Sequence, residues 1–174
     1  MIRKFKRIMA IDPDVDESGV AIVDMTGRTL TTSRAGLPEL VEMLRIHSLK
    51  MLPADDMVVV VEASWLAKAN WHAHHTDSHR VAAAKGEQTG RNHEVGRKIV
   101  KFCGFFGIPY EEKLPLKKIW NGKDGKITFT ELKSLCKGSG IAYDAKKNNQ
   151  EERDAALLAI DRSGIPMIMD MRKR

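Results

Sequence analysis

Short apolar runs in the first part of the chain predict a set of strands. Residues 5–11 (FKRIMAI) and 18–24 (SGVAIVD) are mostly apolar and contain β-branched side chains, which is typical of strands. Gly27 lies in a turn before a third run at residues 28–33, so the first three strands are expected to form an antiparallel group. Residues 57–61 (MVVVV) are apolar without alternation, the pattern of a parallel strand buried on both faces.

Four segments carry the spacing or the capping residues of helices. Apolar residues recur at i, i+3, i+4 and i+7 over residues 37–44, and a similar pattern predicts a helix over residues 94–106. Residues 128–137 begin with a capping box and predict a third helix. A last helix is predicted over residues 149–161, ending near Gly164.

The stretches between these elements complete the predicted order. Residues 65–89 are hydrophilic, with four histidines and two tryptophans, and predict a mobile loop or a partial helix. A short strand is predicted to open at residues 108–110. Residues 115–120 predict a helical turn, and residues 121–126, with two glycines, a loop. The order βββαβαβα, with an antiparallel start and a parallel finish, predicts a mixed sheet covered by helices in a single domain spanning residues 1–174.

The charge of the chain is divided unevenly. The 174 residues carry 29 Lys and Arg against 23 Asp and Glu, a net charge of +6. Residues 8–64 hold ten acidic and four basic side chains, a net charge of −6, so the remainder sums to +12. This division suits a metal-dependent nuclease, with carboxylates at its centre and phosphate-binding cations around them. It is equally compatible with ordinary variation in surface charge.

Several classes of protein are excluded by composition. No apolar run approaches the ~20 residues of a membrane span, and the first residues lack the apolar stretch and cleavage site of a signal peptide. Cys103 and Cys136 lie far apart and form no CxxC pair, so free thiols in a reducing compartment are expected. We therefore expect a cytoplasmic protein with no membrane partner and no small-molecule cofactor.

Four acids occupy positions where a site is expected. Asp12 directly follows the first strand and Glu62 the fourth, while Asp154 lies on the last helix with Glu151 three residues earlier on the same face. Carboxylate oxygens suit Mg²⁺ or Mn²⁺, and two such ions activate a water and stabilise the leaving oxygen of a phosphodiester. The same positions also suit a turn cap, an exposed strand end and an acidic helix N-terminus, so spacing alone leaves both interpretations open.

Five segments, in order, resemble one nuclease family. IMAIDPDVDESGVAIVD resembles the first strand and turn of RuvC-type Holliday-junction resolvases, where Ile-Asp-Pro is followed by a glycine seven residues after the aspartate, here Asp12 and Gly19. The other four segments are VVVVEASW, KGEQTGRNHEVGRKIVKFCGFFGIPYEE, LPLKKIWNGKDGK and EERDAALLAID. Together the resemblance covers about residues 7–161.

This resemblance implies both a fold and an activity. The fold is ribonuclease H-like: an α/β mixed five-stranded sheet, three antiparallel strands then parallel strands, flanked by helices. The activity is that of a bacterial or phage-encoded homodimeric endonuclease that uses Mg²⁺, with Mn²⁺ as a substitute, to nick four-way DNA junctions symmetrically. Asp12, Glu62 and Asp154 match the family's catalytic, metal-binding acids. Glu151, the fourth candidate catalytic and metal-binding acid, falls where the family usually has Asp or His; glutamate can still ligate a metal, but its longer side chain shifts the geometry. Asp14 falls where the family usually has Gly.

The loop after the second acid has a further implied role. In the family this loop enters the junction and wedges between bases, and here it holds Trp65, Lys68 and Trp71. Aromatic side chains that stack on unpaired bases contribute about 1–3 kcal/mol per base. Packing of Trp65 on the core is an equal alternative. The four histidines of this stretch lack a paired cysteine and are irregularly spaced, which argues against structural zinc: His72, His74, His75 and His79.

Basic residues in two of the resembling segments are candidates for phosphate contacts. Arg91 lies on the helix before the fifth strand. Lys117, Lys118 and Lys126 lie in the segment that resembles the family's DNA-binding stretch. A lysine close to the metals also stabilises the charge of a phosphorane transition state. Lys117 is the first candidate for that position and Lys126 the second.

Two alternative functions stay open. The same fold would serve a nuclease for other branched DNA or structured RNA, and Glu151 is compatible with a catalytically inactive junction-binding module. Actin-like ATPases share the core, but they need a duplicated domain that 174 residues cannot supply.

Overall fold

A computed structural model of the protein describes residues 5–50, 57–67 and 77–170. Within these ranges the strands are β1 (Arg7–Asp12), β2 (Ser18–Asp24), β3 (Thr29–Ala35), β4 (Met57–Glu62) and β5 (Tyr110–Lys113). They form one sheet in the order β3-β2-β1-β4-β5. β2 is antiparallel to β1 and β3, whereas β1, β4 and β5 are parallel. The predicted ribonuclease H-like arrangement, three antiparallel strands followed by parallel strands, is confirmed.

Helices cover both faces of this sheet. In the described part of the chain they are α1 (Leu37–Lys50), α2 (His79–Phe105), α3 (Phe129–Gly138) and α4 (Gln150–Ser163). Single 3-10 turns occur at Ser64–Leu66 and Lys123–Gly125. None of the described helices combines the length and the apolar character that crossing a membrane requires.

The period of two along β1 divides the core into two layers. Ile8 and Ala10 belong to a layer with α3 and α4, which we call the α4-side core. Met9 and Ile11 belong to the opposite layer with α1 and α2, the α2-side core. Because side chains alternate along a strand, Asp12 continues the series of Ile8 and Ala10 and faces α4.

The capping residues fix where the last two helices begin. The predicted capping box at Thr128 and Glu131 is confirmed, with each side chain accepting from the other's backbone N–H. Helix α4 begins with a second capping box, formed by Asn149 and Glu152. It ends at Gly164, whose φ of 71° is the left-handed conformation that glycine tolerates.

Helix α2 begins at His79, well before the predicted start at residue 94. Residues 79–89 are therefore helical, which agrees with the partial-helix alternative for residues 65–89. The side chain of Ser78 caps the first turn, and Lys85 Nζ lies 2.7 Å from Asp77 Oδ2. These turns are held by capping and ion pairing, and their polar surface lacks the apolar spacing that predicts a helix.

The short strand predicted to open at residues 108–110 is confirmed as β5, which begins at Tyr110 and covers Tyr110–Lys113. The N–H of Ile108 instead closes the turn after α2 by donating to the carbonyl of Cys103. One shorter prediction was wrong. Residues 115–120 form no helical turn. Leu116 and Trp120 instead pack on the α4-side core.

Candidate active site

The carboxyl ends of two neighbouring parallel strands carry the first two acids. In their register, Ile11 of β1 lies beside Val61 of β4. The next residues, Asp12 and Glu62, therefore end at the same edge of the sheet. Glu62 continues the series of Val60, whose side chain belongs to the α4-side core, so both carboxylates face helix α4.

Gly19 allows α4 to reach this edge. It lies opposite Asp12 in the antiparallel pair of β1 and β2. A Cβ atom at Gly19 would overlap the backbone carbonyl of Glu151 in the first turn of α4, so only glycine lets the helix lie directly on the strand. Asp154, one turn further along α4, is thereby brought within electrostatic range of Asp12 and Glu62.

The carboxylates act on one another. Burial raises the pKa of Asp12 well above its ordinary value, and the charges of Glu62 and Asp154 raise it further, with a smaller contribution from Glu151. Burial likewise raises the pKa of Glu62 to about 7, and Asp154 adds to this rise. At neutral pH the cluster therefore favours binding of protons or cations over remaining fully charged.

Two lysines oppose this negative charge. Lys126 Nζ lies 3.4 Å from Asp154 Oδ2, and its charge counteracts the rise in the pKa of Asp12 and Glu62. Lys118 counteracts the rise in the pKa of Glu62. Of the two candidate lysines from the sequence, Lys126, the second, contacts a carboxylate of this cluster, while Lys117 is exposed.

Two glycines shape the loop that carries these lysines, residues 118–126. The N–H of Trp120 donates to the carbonyl of Gly125 (3.0 Å), and the N–H of Gly122 donates to that of Lys126 (2.9 Å). Gly125 has a φ of 73°, and a Cβ atom at Gly122 would overlap the Lys126 carbonyl. The loop therefore closes on itself and holds Lys118 and Lys126 near its two ends.

The donor set fits a divalent cation by ligand type and charge. Carboxylate oxygens suit Mg²⁺ and Mn²⁺, and a bound cation relieves the repulsion that raises the pKa of Asp12 and Glu62. Within residues 5–50, 57–67 and 77–170, no three His, Cys, Asp or Glu side chains already converge as ligands of one ion. Both oxygens of Asp154 are engaged, Oδ2 by Lys126 and Oδ1 by the side-chain amide of Gln150 at 2.7 Å.

Trp65 packs on the protein in this structure. Its Nε1 donates to Glu112 Oε2 (3.0 Å), and its ring lies against the α2-side core. A Cβ atom at Gly96 of α2 would overlap the ring, so this contact requires glycine. The guanidinium of Arg97 lies over the ring, 5.8 Å from its centroid. The alternative that Trp65 packs on the core is therefore confirmed in this structure.

Asn92 of α2 anchors the turn after β1, a role that no sequence pattern indicated. Its Nδ2 donates to Asp14 Oδ2 (3.0 Å), and its Oδ1 accepts from the N–H of Val15 (3.1 Å). Asp14 Oδ1 also accepts from the N–H of Asp16 (2.9 Å). Asp14 therefore forms the turn through its carboxylate.

The other predicted DNA-binding residues occupy varied positions. Lys68 and Trp71 lie outside the described residues, as do His72, His74 and His75. Arg91 is exposed on α2, with its Nη2 2.6 Å from Glu87 Oε1. Their contacts with DNA stay predictions.

Comparisons with known proteins give similarity at the level of solved structures. No family model matches the chain, and no curated protein matches it. T. thermophilus RuvC in complex with Holliday junction substrate superposes with a TM-score of 0.46 and 11% identity, covering 94% of this chain and 99% of that chain. A second Thermus thermophilus RuvC structure has a TM-score of 0.45 and 15% identity, covering 94% of this chain and 99% of that chain. The large terminase nuclease from thermophilic phage G20c has a TM-score of 0.27 and 13% identity, covering 92% of this chain and 86% of that chain.

Proposed function

We propose that this protein is a Mg²⁺-dependent endonuclease that nicks four-way DNA junctions. The observation that carries the proposal is the cluster of Asp12, Glu62 and Asp154, which three separate elements bring into mutual electrostatic contact. If Asp12 only capped a turn, Glu62 only ended a strand and Asp154 only favoured the start of a helix, the three carboxylates would not need to lie close enough to affect one another's charge. Crowding of like charges costs stability, and it is typical of sites that bind cations or carry out acid–base chemistry.

In this proposal the three carboxylates would hold the metal ions, with Glu151 at the margin of the cluster. When bound, Mg²⁺, or Mn²⁺ in its place, would supply the Lewis acidity that activates a water and stabilises the leaving oxygen of a phosphodiester. Lys126 lies beside Asp154 and is the side chain best placed to neutralise charge that develops on the phosphate. The residues that bind and orient the metals thus come from β1, β4 and α4.

The loop of residues 118–126 is the proposed entrance for the DNA backbone. Lys118 lies within electrostatic reach of Glu62, so a phosphate near the carboxylates also lies near this loop. Lys117 and Lys123 are exposed neighbours that extend the positive surface. Arg91, Lys68, Trp65 and Trp71 are also proposed to contact the junction.

Symmetric nicking also implies a homodimer, because two cuts related by a two-fold axis need two identical sites. Sedimentation of the free chain and of its complex with a four-way junction tests this part. A dimer on the junction supports it, and one monomer per junction under cleaving conditions contradicts it.

Cleavage of defined substrates tests the activity. A mobile four-way junction, a flap, a linear duplex and an RNA hairpin are incubated with protein and Mg²⁺, and the cut ends are sequenced. The proposal expects paired nicks at symmetric positions of the junction and far slower cutting of the duplex. Preferential cutting of the flap or the hairpin would replace the proposed substrate by other branched DNA or structured RNA. Binding without any cutting would favour an inactive junction-binding module.

A further inference from the structure

Gln150, the first residue of α4, bridges two side chains of the same helix. Its Oε1 accepts a hydrogen bond from Arg153 Nη2 at 2.8 Å. Its Nε2 donates to Asp154 Oδ1 at 2.7 Å. A guanidinium only donates and an ionised carboxylate only accepts, so a single orientation of the Gln150 amide satisfies both neighbours. Arg153 therefore fixes which end of the amide faces Asp154.

Arg153 is itself fixed by three further contacts. Its Nε donates to the backbone carbonyl of Ile127 at 2.9 Å. Its Nη1 donates to the backbone carbonyl and the side-chain oxygen of Asn148, at 3.0 and 3.1 Å. Arg153 thus connects α4 to the residue that directly follows Lys126, and its planar fork has little freedom to move.

These contacts leave the two oxygens of Asp154 with different partners. Oδ1 is bound by Gln150, a residue of the same helix. Oδ2 faces Lys126, which lies on the segment that Arg153 holds through Ile127. One rigid arginine therefore sets the orientation of the carboxylate and the placement of the lysine opposite it.

We infer that Gln150 and Arg153 are positioning residues that orient Asp154 for a divalent cation and hold Lys126 at the site. This inference rests on the proposed function, since it assigns Asp154 to cation binding. Gln150 holds Oδ1 of Asp154 in place, so the oxygen that stays available to a cation is Oδ2, which faces Lys126. Partners that orient a ligating carboxylate typically change metal affinity or activity by about 10- to 100-fold when they are removed.

Two variants separate this role from simple support of the helix. Gln150→Met keeps the length of the side chain and removes both hydrogen bonds. Arg153→Lys keeps the positive charge and removes the fork that reaches Gln150 and Ile127. Arg162→Lys is the matched control, because Arg162 makes a two-pronged contact with Glu111 (2.6 Å for each bond) near the other end of α4.

The measurements are the affinity for Mn²⁺ by calorimetry, junction cleavage as separate kcat and KM, and the free energy of unfolding. For Gln150→Met and Arg153→Lys we expect Mn²⁺ affinity and kcat to fall about 10- to 100-fold, with KM for the junction changed by less than about threefold. For Arg162→Lys we expect loss of stability without a comparable change in Mn²⁺ affinity.

Three results would overturn the inference. The first is a Mn²⁺ affinity within about twofold of wild type in both variants. The second is an equal loss of Mn²⁺ affinity in Arg162→Lys, which would indicate general weakening of α4. The third is a wild-type chain that binds no Mn²⁺. That third result would overturn both the inference and the proposed function.

Failure of the proposed function alone gives a different result. A wild-type chain that bound Mn²⁺ but cut no nucleic acid would remove the proposed function, while the comparison of Mn²⁺ affinities would still decide whether Gln150 and Arg153 are positioning residues.

Discussion

Substitution of Glu62 by Gln is expected to stabilise the cation-free protein, with an effect that depends on pH. The pKa of Glu62 in the folded protein is raised from 4.5 to about 7, mainly by burial. A raised carboxyl pKa means that ionisation disfavours the folded state. The penalty is therefore small below about pH 4.5, grows as the pH rises to about 7, and stays constant above that value.

The size of the effect follows from the same values. One pKa unit corresponds to about 1.4 kcal/mol, so the rise from 4.5 to about 7 amounts to about 3 kcal/mol at alkaline pH. Glutamine has a similar shape and no charge, so Glu62→Gln is expected to recover most of this energy. For a chain of this length that corresponds to a rise in Tm of roughly 6–12 °C.

Urea unfolding in EDTA, at about pH 8 and again at about pH 4.5, measures this difference. Glu94→Gln is the control, because Glu94 is exposed on α2 and its carboxylate lies 3.7 Å from Lys98 Nζ. We expect stabilisation of Glu62→Gln at the higher pH alone and almost none in the control. A stability of Glu62→Gln equal to that of wild type at both pH values, or a loss of stability at about pH 8, would refute the raised pKa of Glu62.

Three further predictions follow from the same geometry. Gly19→Ala is expected to lower the free energy of unfolding by roughly 3 kcal/mol or more and to abolish cleavage, because the added Cβ overlaps the backbone of α4. The control Gly86→Ala, at an open helical position, is expected to be neutral or stabilising, and urea unfolding compares the two. Lys126→Met is expected to destabilise the cation-free protein by about 1–3 kcal/mol at neutral pH. Added Mg²⁺ is expected to raise the Tm of this variant more than that of wild type, which thermal unfolding measures. Junction affinity is expected to fall about 100-fold between roughly 50 and 200 mM salt if about four phosphates are neutralised, and a titration showing almost no change would count against the basic surface.

The parts of the fold that follow a simple period were predictable from the sequence. The apolar runs of β1 and β4 place Asp12 and Glu62 at the ends of buried strands, and parallel pairing then brings them together. Gly19 was recognised by its spacing from Asp12. The physical reason for that spacing, the close approach of α4 to β2, emerged only from the tertiary structure.

The parts that depend on long-range polar contacts were not predictable. Asn92 reaches Asp14 across more than seventy residues of sequence, and no local pattern marks an asparagine for that contact. The choice of Lys126 over Lys117 depends on how a glycine-containing loop folds back on itself. The first turns of α2 are stabilised by a cap and ion pairs, so they lack the apolar period on which helix prediction depends.

The most direct test of the proposed active site is Mg²⁺-dependent cleavage of a four-way junction by Asp12→Asn. The substitution removes one charge of the cluster while keeping the size of the side chain. The variant is expected to bind the junction as tightly as wild type and to cleave it at least about 1000-fold more slowly, since a metal site contributes several kcal/mol to the transition state. Cleavage by Asp12→Asn at the wild-type rate would contradict the assignment of this cluster as the active site.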